Sequence, residues 1–177
     1  MKNNHIIIFA IFLAILGVFS SCEKKCCETY KREGLSFNLP NYWKIGEIDS
    51  TDANFFFMAI EKKGYGASAN AFIEWNIGKI PLDSVMNITQ QGYFNEKVFL
   101  QGGIEFTKPK LEKYGRFNAL TSVFSVELLD VYHIGKIHCF YIEECNKTVM
   151  VAYQEVEADA SKQRADFEII ENSFDCK

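Results

Sequence analysis

Residues 140–156 read FYIEECNKTVMVAYQEV, and this stretch decides the fold that we predict for the 177-residue chain. Branched and aromatic side chains dominate on both sides of Asn146 and Lys147, where the chain is polar enough for a tight turn. The pattern predicts two antiparallel strands, at 135–144 and 149–156. A sheet built on such strands needs helices to cover its faces.

The segments around this hairpin supply further strands and a closing helix. Upstream, 104–114 and 116–128 are rich in branched and aromatic residues, which predicts two more strands of the same antiparallel sheet. Downstream, Asp159 or Ser161 can cap a helix. The apolar face of that helix consists of Phe167, Ile170 and Phe174, with Ile169 alongside.

The sequence pattern in the first half of the folded region predicts three strands and one helix. The first strand is predicted at 35–39, where apolar and polar residues alternate before Pro40. The second is predicted at 54–63, which is dense in aromatic residues. A third strand follows, with Phe72 on the side opposite its main apolar face. Pro81 begins a helix that Gly92 ends. The main face of the third strand comprises Ala71, Ile73, Trp75 and Ile77, and the helix has Leu82, Val85, Met86 and Thr89 at helical spacing. The order of elements predicts an α+β fold.

Four segments resemble the PsbP-like and DcrB-like superfamily. They are LSFNLPNYW at 35–43, PLDSVMNITQQGY at 81–93, the hairpin at 140–156 and IIENSF at 169–174. The resemblance implies an α/β/α sandwich with a mainly antiparallel sheet, one helix after the third strand and a C-terminal helix. It also implies an accessory protein that binds other proteins, and it brings no catalytic residues with it.

The N-terminus has the layout of an export signal. One basic residue, Lys2, precedes an apolar run at 6–18, which is shorter than the roughly 20 residues of a transmembrane helix. Ser20 and Ser21 then lead into Cys22, and this pattern resembles the lipobox of bacterial lipoproteins. The resemblance implies cleavage before Cys22 and lipid on its thiol. The alternative is an ordinary signal peptide cut near Ser20.

These features divide the chain into three parts. They are a lipoprotein signal peptide at 1–21, the lipidated Cys22 with a charged tether at 22–33, and a PsbP/DcrB-like domain at 34–177. We expect a protein of the bacterial cell envelope, anchored to the membrane by lipid, and Glu23 favours the outer over the inner membrane. The formal net charge of −4 does not favour binding to nucleic acid.

Five cysteines remain once Cys22 is assigned to lipid. Export places them in an oxidising compartment, where disulfides are expected. The first hypothesis pairs Cys176 with Cys26 or Cys27, so that a bridge closes the domain's termini. The second pairs Cys139 with Cys145. The odd number leaves at least one thiol free.

The sequence offers little for catalysis or metal binding. His133 and His138 are five residues apart, so on one strand they face opposite sides. His138, Cys139 and Cys145 lack a fourth metal ligand at a recognisable spacing. No Gly-x-Ser-x-Gly motif or phosphate-binding glycine loop occurs. We therefore predict a protein that is not an enzyme and that carries no metal or cofactor.

Two groups of aromatic residues suggest either a buried sheet or a partner surface. They are Tyr42 with Trp43, and Phe55, Phe56 and Phe57. If both faces of the sheet are covered, these side chains are buried in the core. If one face is open, they form a surface that binds another protein.

The leading hypothesis is a non-enzymatic envelope protein that binds another protein or peptide, through a sheet face or a cleft beside the first helix. One alternative is a small-molecule or lipid carrier, which requires a cavity of roughly 300 Å³ or more. Another is an enzyme of unrecognised type, which requires a cleft histidine bonded to a carboxylate and a hydroxyl.

Overall fold

The computed structural model describes residues 27–50, 52–64, 69–95, 100–128 and 130–177. In these ranges the chain forms eleven strands, two α-helices and a short 3₁₀ helix at Glu157–Asp159. Their order is β1 (Cys27–Arg32), β2 (Leu35–Pro40), β3 (Trp43–Asp49), β4 (Phe55–Lys62), β5 (Ala69–Ile77), α1 (Leu82–Asn95), β6 (Leu100–Phe106), β7 (Lys110–Tyr114), β8 (Phe117–Leu128), β9 (Val131–Ile142), β10 (Lys147–Val156), α2 (Ala160–Ser173) and β11 (Asp175–Cys176).

Eight of these strands form one antiparallel sheet, in the order β3-β4-β5-β10-β9-β8-β6, with β7 also paired to β8. The predicted hairpin of β9 and β10 lies at its centre, because β10 pairs with β9 on one side and with β5 on the other. Seven consecutive residues of β10, from Lys147 to Tyr153, are buried. A strand is buried in this way only when both faces of its sheet are covered.

Alternate residues of the central strands enter two separate cores. On one side, which we call the α2 face, Phe140 and Val151 pack with Phe167 of helix α2. On the other side, the α1 face, Cys139 and Met150 pack with Met86 of helix α1. The predicted class, an α+β fold with two helices on a mainly antiparallel sheet, is thereby confirmed.

A second, three-stranded sheet of order β1-β2-β11 shares the α2 face with helix α2. Leu35, Phe37 and Leu39 of β2 enter the core of that face. Strands β1 and β2 are joined by Glu33 and Gly34, which both have positive φ, as a two-residue hairpin turn requires. The tether predicted at 22–33 is therefore wrong for 27–33, which belongs to the folded domain, and 22–26 lies outside the described residues.

Three other predicted boundaries differ from the structure. The first helix follows the fifth strand and not the third, because β1 and β3 lack a clear alternation of apolar and polar residues. The segment predicted as one strand at 104–114 is two strands separated by 107–109, where Pro109 cannot donate a ladder hydrogen bond. Helix α1 continues past Gly92 to Asn95.

One disulfide joins Cys145, in the turn between β9 and β10, to Cys176 of β11. Both predicted pairings are wrong. Cys27 pairs in register with Pro40, whereas Cys176 pairs with Leu35, so these two cysteines lie at opposite ends of β2. Cys139 is a buried thiol on the α1 face, whereas Cys145 packs against the core of the α2 face. Cys22 and Cys26 lie outside the described residues.

We predict that this disulfide contributes about 3–4 kcal/mol to stability, because it closes a loop of 31 residues in the unfolded chain. Reduction of the wild type should lower its melting temperature by roughly 10 °C. The Cys145→Ala/Cys176→Ala variant should already melt at the lower temperature, and its melting curve should not respond to dithiothreitol. A reductant effect that persisted in this variant would show that another pair of cysteines carries the stabilisation.

Candidate functional site

A cleft of about 580 Å³ opens between helix α2 and the α2 face of the large sheet. The sheet side comes from β8, the first half of β9 and the second half of β10. The lining residues are Val123, Ile134, Gly135, Lys136, His138, Tyr153, Glu155, Ala160, Ser161, Arg164, Phe167, Glu168, Glu171 and Asn172.

Helix α2 packs on the sheet with one face and borders the cleft with the neighbouring part of its surface. Gln163, Asp166 and Ile170 follow helical spacing and are buried. Arg164 and Glu168 follow the same spacing a quarter-turn away and line the cleft instead. The side chains of Arg164 and Glu168 are 81% and 53% exposed, so this part of the helix surface lies at the open edge of the cleft.

A buried carboxylate fixes the helix in this position. Asp166 accepts hydrogen bonds from the Tyr42 hydroxyl and from Trp43 Nε1, the latter at 3.1 Å. Lys62 Nζ lies 3.7 Å from Asp166 Oδ2 and donates to Gln163 Oε1 at 2.6 Å. Burying a carboxylate is costly unless it is paired and hydrogen-bonded, so these partners hold α2 against the start of β3 and the end of β4.

Aromatic rings form the floor of the cleft. The ring of Phe167 stacks on that of Tyr153, with 4.4 Å between their centroids, and the hydroxyls of Tyr153 and Tyr114 are 2.5 Å apart. Burial raises the pKa of both tyrosines far above the usual range, so both remain protonated near neutral pH. The floor therefore offers an apolar, uncharged surface.

His138 lies beside this floor. Its Nδ1 is hydrogen-bonded to Thr121 Oγ1 at 2.9 Å. Burial, followed by the nearby charge of Lys136, lowers the pKa of His138 to about 4, so the ring is neutral near pH 7. Within the described ranges we find the hydroxyl that the enzyme hypothesis requires, but no carboxylate bonded to this ring. His133 lies on the α1 face and contacts Gln154.

Glu155 is the unusual polar group of the cleft. Its Oε2 is buried and has no hydrogen-bond partner among the described residues. Burial raises the pKa of Glu155 to about 7, although Lys136 acts in the opposite direction. At the rim, Arg164 Nε pairs with Glu168 Oε1 at 3.0 Å. A ligand in the cleft would thus meet an apolar floor, a charged rim and an unsatisfied carboxyl oxygen.

The aromatic partner surface predicted from the sequence is largely part of the core. Trp43 is 1% exposed, and Phe56 is buried in the same core, where it stacks on Trp75 with ring centroids 3.7 Å apart. Phe55 and Phe57 are half-buried. Tyr42 is 46% exposed. The prediction is wrong for Trp43 and Phe56, because both point into the layer that β2 and α2 cover.

Sequence reasoning missed the cleft itself. Lys136, Glu155 and Arg164 come from three elements and appear in the sequence as ordinary charged residues. A partial signal lies in β10, where Glu155 follows Tyr153 by two residues and therefore shares its face.

Two findings concern only the described part of the chain. There, no group of three His, Cys, Asp or Glu side chains is arranged to hold a metal ion. No helix in those ranges is both long and apolar enough to cross a bilayer.

Comparison with known proteins shows a shared fold. No protein-family model matches the chain, and no curated protein does so either. Among solved structures, CyanoP, the cyanobacterial PsbP of Synechocystis sp. PCC 6803, is similar with a TM-score of 0.60 and 12% identity, and the match covers 91% of this chain and 100% of CyanoP. The PsbP-like fold implied by the sequence resemblance is therefore supported.

Two other structures are similar at the same level. LpqN, involved in cell envelope biogenesis of Mycobacterium tuberculosis, gives a TM-score of 0.53 at 10% identity and 86% coverage of each chain. A crystal structure from Bacteroides thetaiotaomicron VPI-5482 gives 0.57 at 11% identity, over 86% of this chain and 49% of that one. This chain thus spans about half the length of the Bacteroides structure. Identities this low establish the fold alone.

We predict that Asp166→Ala lowers the free energy of unfolding by about 3 kcal/mol, since it removes the acceptor of the Tyr42 and Trp43 hydrogen bonds and the ion-pair partner of Lys62. Glu168→Ala on the same helix removes only an exposed ion pair and should cost less than about 1 kcal/mol. Urea denaturation followed by circular dichroism measures both. Equal losses for the two variants would contradict the role assigned to Asp166.

The raised pKa of Glu155 predicts a dependence of stability on pH. Below the unfolded pKa of about 4.5 both states hold the proton, so the folded state pays no penalty. Between about pH 4.5 and 7 the unfolded state loses this proton while the folded state retains it, and above about pH 7 the folded state must ionise a poorly solvated carboxyl group. The free energy of unfolding therefore falls as the pH rises. Glu155→Gln should therefore stabilise the protein more at pH 8 than at pH 5.

Urea midpoints of wild type and variant at the two pH values measure this difference. Glu143→Gln, at an exposed position of the turn between β9 and β10, is the control for replacing a glutamate by glutamine. A stabilisation by Glu155→Gln that is equal at both pH values would contradict the prediction.

Proposed function

We propose that the chain is a lipid-anchored, non-enzymatic protein of the bacterial cell envelope, and that the cleft beneath α2 binds a segment of another protein. The observation that carries the proposal is the cleft itself, with its aromatic floor, its charged rim and the unpartnered oxygen of Glu155. The membrane anchor is the lipid on Cys22.

Three observations support an envelope location. Residues 6–22 combine an apolar export core with a lipobox-like end. The Cys145–Cys176 disulfide is typical of proteins in oxidising compartments. LpqN, which has a similar fold, is involved in cell envelope biogenesis. We further propose the outer membrane, on the basis of Glu23.

The composition of the cleft favours a peptide segment over a reacting substrate. The stacked rings of Tyr153 and Phe167 are 5% and 7% exposed, so they offer a small apolar contact at the bottom of the cleft for one apolar side chain of a partner. The rim charges of Arg164 and Lys136 suit the polar periphery of such an interface. His138 is neutral and bonded to Thr121, and the buried tyrosines stay protonated, so these groups favour binding over proton transfer.

A small amphipathic molecule is the second candidate ligand. The cleft volume of about 580 Å³ exceeds the limit set for a carrier and falls in the range of about 300–1,000 Å³ that is usual for small-molecule sites. Native mass spectrometry of protein purified from its own membranes distinguishes the two candidates. A carrier would retain a small ligand that Ser161→Trp, at the cleft wall, displaces.

The test of the leading proposal is site-specific photocrosslinking in the native envelope. A benzophenone amino acid at Ser161, which lines the cleft, should give one reproducible adduct with a protein. The same amino acid at Ala165, an exposed position of α2 outside the lining, is the matched control and should not give that adduct. The adduct at Ser161 should weaken when Phe167→Ala removes part of the floor. The same adduct in equal yield at both positions would overturn the cleft as the binding site.

The anchor has its own test. Cys22→Ala should move the protein out of the membrane fraction or stall its processing, because two acyl chains are needed for stable membrane attachment. Wild-type protein that sediments with membranes yet carries no lipid by mass spectrometry would contradict the anchor while leaving the cleft proposal open to its own test.

A further inference from the structure

The chain between the proposed anchor and the folded domain is short. Four residues, 23–26, lie between Cys22 and Cys27, the first residue of β1, and the five Cα–Cα steps that join the two cysteines span at most about 18 Å. Cys27 is held in the small sheet by its pairing with Pro40. The lipid on Cys22 therefore keeps this part of the domain close to the bilayer, an argument that rests on the proposed function.

Register shows which end of the large sheet this is. Pro40 lies three residues before Trp43, which begins β3 and pairs with Lys62 near the end of β4. We call this the anchor end. Further across the sheet, Glu155 near the end of β10 pairs with Ala69, the first residue of β5, and with Ile134 near the start of β9. The first residues of β9 therefore lie at the anchor end. Because β9 follows β8 in a hairpin, the tip of the β8–β9 hairpin lies there too.

Exposed apolar side chains occur at this end on two separated elements. Val131 and Tyr132, at the tip of the β8–β9 hairpin, are 40% and 60% exposed. Tyr42, just before β3, is also largely exposed. Four strand spacings separate β3 from β9 in the sheet order, which is roughly 19 Å. Tyr42, Tyr132 and the lipid thus provide three points of contact.

The chemistry of these side chains fits the interfacial region of a bilayer. Tyrosine is enriched at the headgroup level, since its ring is apolar and its hydroxyl is polar. This argument applies to Tyr132, whereas the hydroxyl of Tyr42 donates to Asp166 and Tyr42 offers only its ring. Charges of both signs lie at the anchor end, among them Lys63 and Glu157. Attachment there depends on the rings and the tether, and it needs no anionic lipid.

We propose that the anchor end lies flat against the phospholipid bilayer, with Tyr132, Val131 and Tyr42 at headgroup level. The cleft then opens beside the membrane, because Ile134 and Glu155 of its lining lie at the same end. Its protein partner is consequently bound at the membrane surface, as a segment that emerges from the bilayer or lies on it.

Fluorescence quenching by brominated phosphatidylcholine tests this orientation. The full-length lipidated chain, purified from membranes, is reconstituted into vesicles as Tyr132→Trp, with Val131→Trp as a second reporter. Ile77→Trp is the matched control, because Ile77 is 49% exposed and lies eight residues along β5 from Ala69, roughly 27 Å away at the opposite end. The native Trp43 and Trp75 are buried and give the same background in every variant.

The reporters at the hairpin tip should lose roughly twice the fluorescence that Ile77→Trp loses, because only the anchor end reaches the interface. Adding Cys22→Ala to Tyr132→Trp should abolish the quenching. Anchored protein in which Ile77→Trp is quenched as strongly as both tip reporters would overturn the orientation and leave the lipid anchor intact. Chains that carry no lipid and do not bind the vesicles would overturn both.

Discussion

The buried carboxylate of Asp166 is the constraint on which the arrangement of the α2 face depends. It gathers Tyr42, Trp43 and Lys62 onto one side of helix α2. Such a group is tolerated in a protein interior only when its partners compensate for the lost hydration. At the other end, the strand that follows the helix is bound to β2 and, through Cys176, to the β9–β10 turn. A helix held at both positions cannot settle further onto β9 and β10, and the cleft is the space that remains.

The central hairpin and the class of fold could be predicted because periodicity and turn chemistry are local properties of the sequence. Whether a given aromatic side chain is buried or exposed could not be predicted in this way. Trp43 and Phe56 belong to the core because β2 and α2 cover them, and that cover comes from residues far away in the sequence. The disulfide depends on register in the same way, since Cys27 and Cys176 occupy opposite ends of β2. The cleft combines residues of three elements, and only their packing brings Lys136, Glu155 and Arg164 together.

The groups that line the cleft are suited to recognition. Burial keeps His138 neutral and both tyrosines protonated, so little charge changes at the floor near neutral pH. Glu155 is the exception, because burial raises the pKa of its carboxyl group and its Oε2 has no hydrogen-bond partner among the described residues. A bound partner that donates a hydrogen bond to Glu155 would satisfy a group that the free protein leaves unsatisfied. Buried polar groups of this kind make binding selective, since a ligand without the donor gains less.

A crystal structure of the protein purified with its partner from its own membranes is the most direct test of a binding site beneath α2. The account predicts a partner segment in the cleft, packed against the stacked rings of Phe167 and Tyr153, with a donor within hydrogen-bond distance of Glu155. A partner bound to the α1 face or along the outer edge of β3, with the cleft empty or closed, would contradict it.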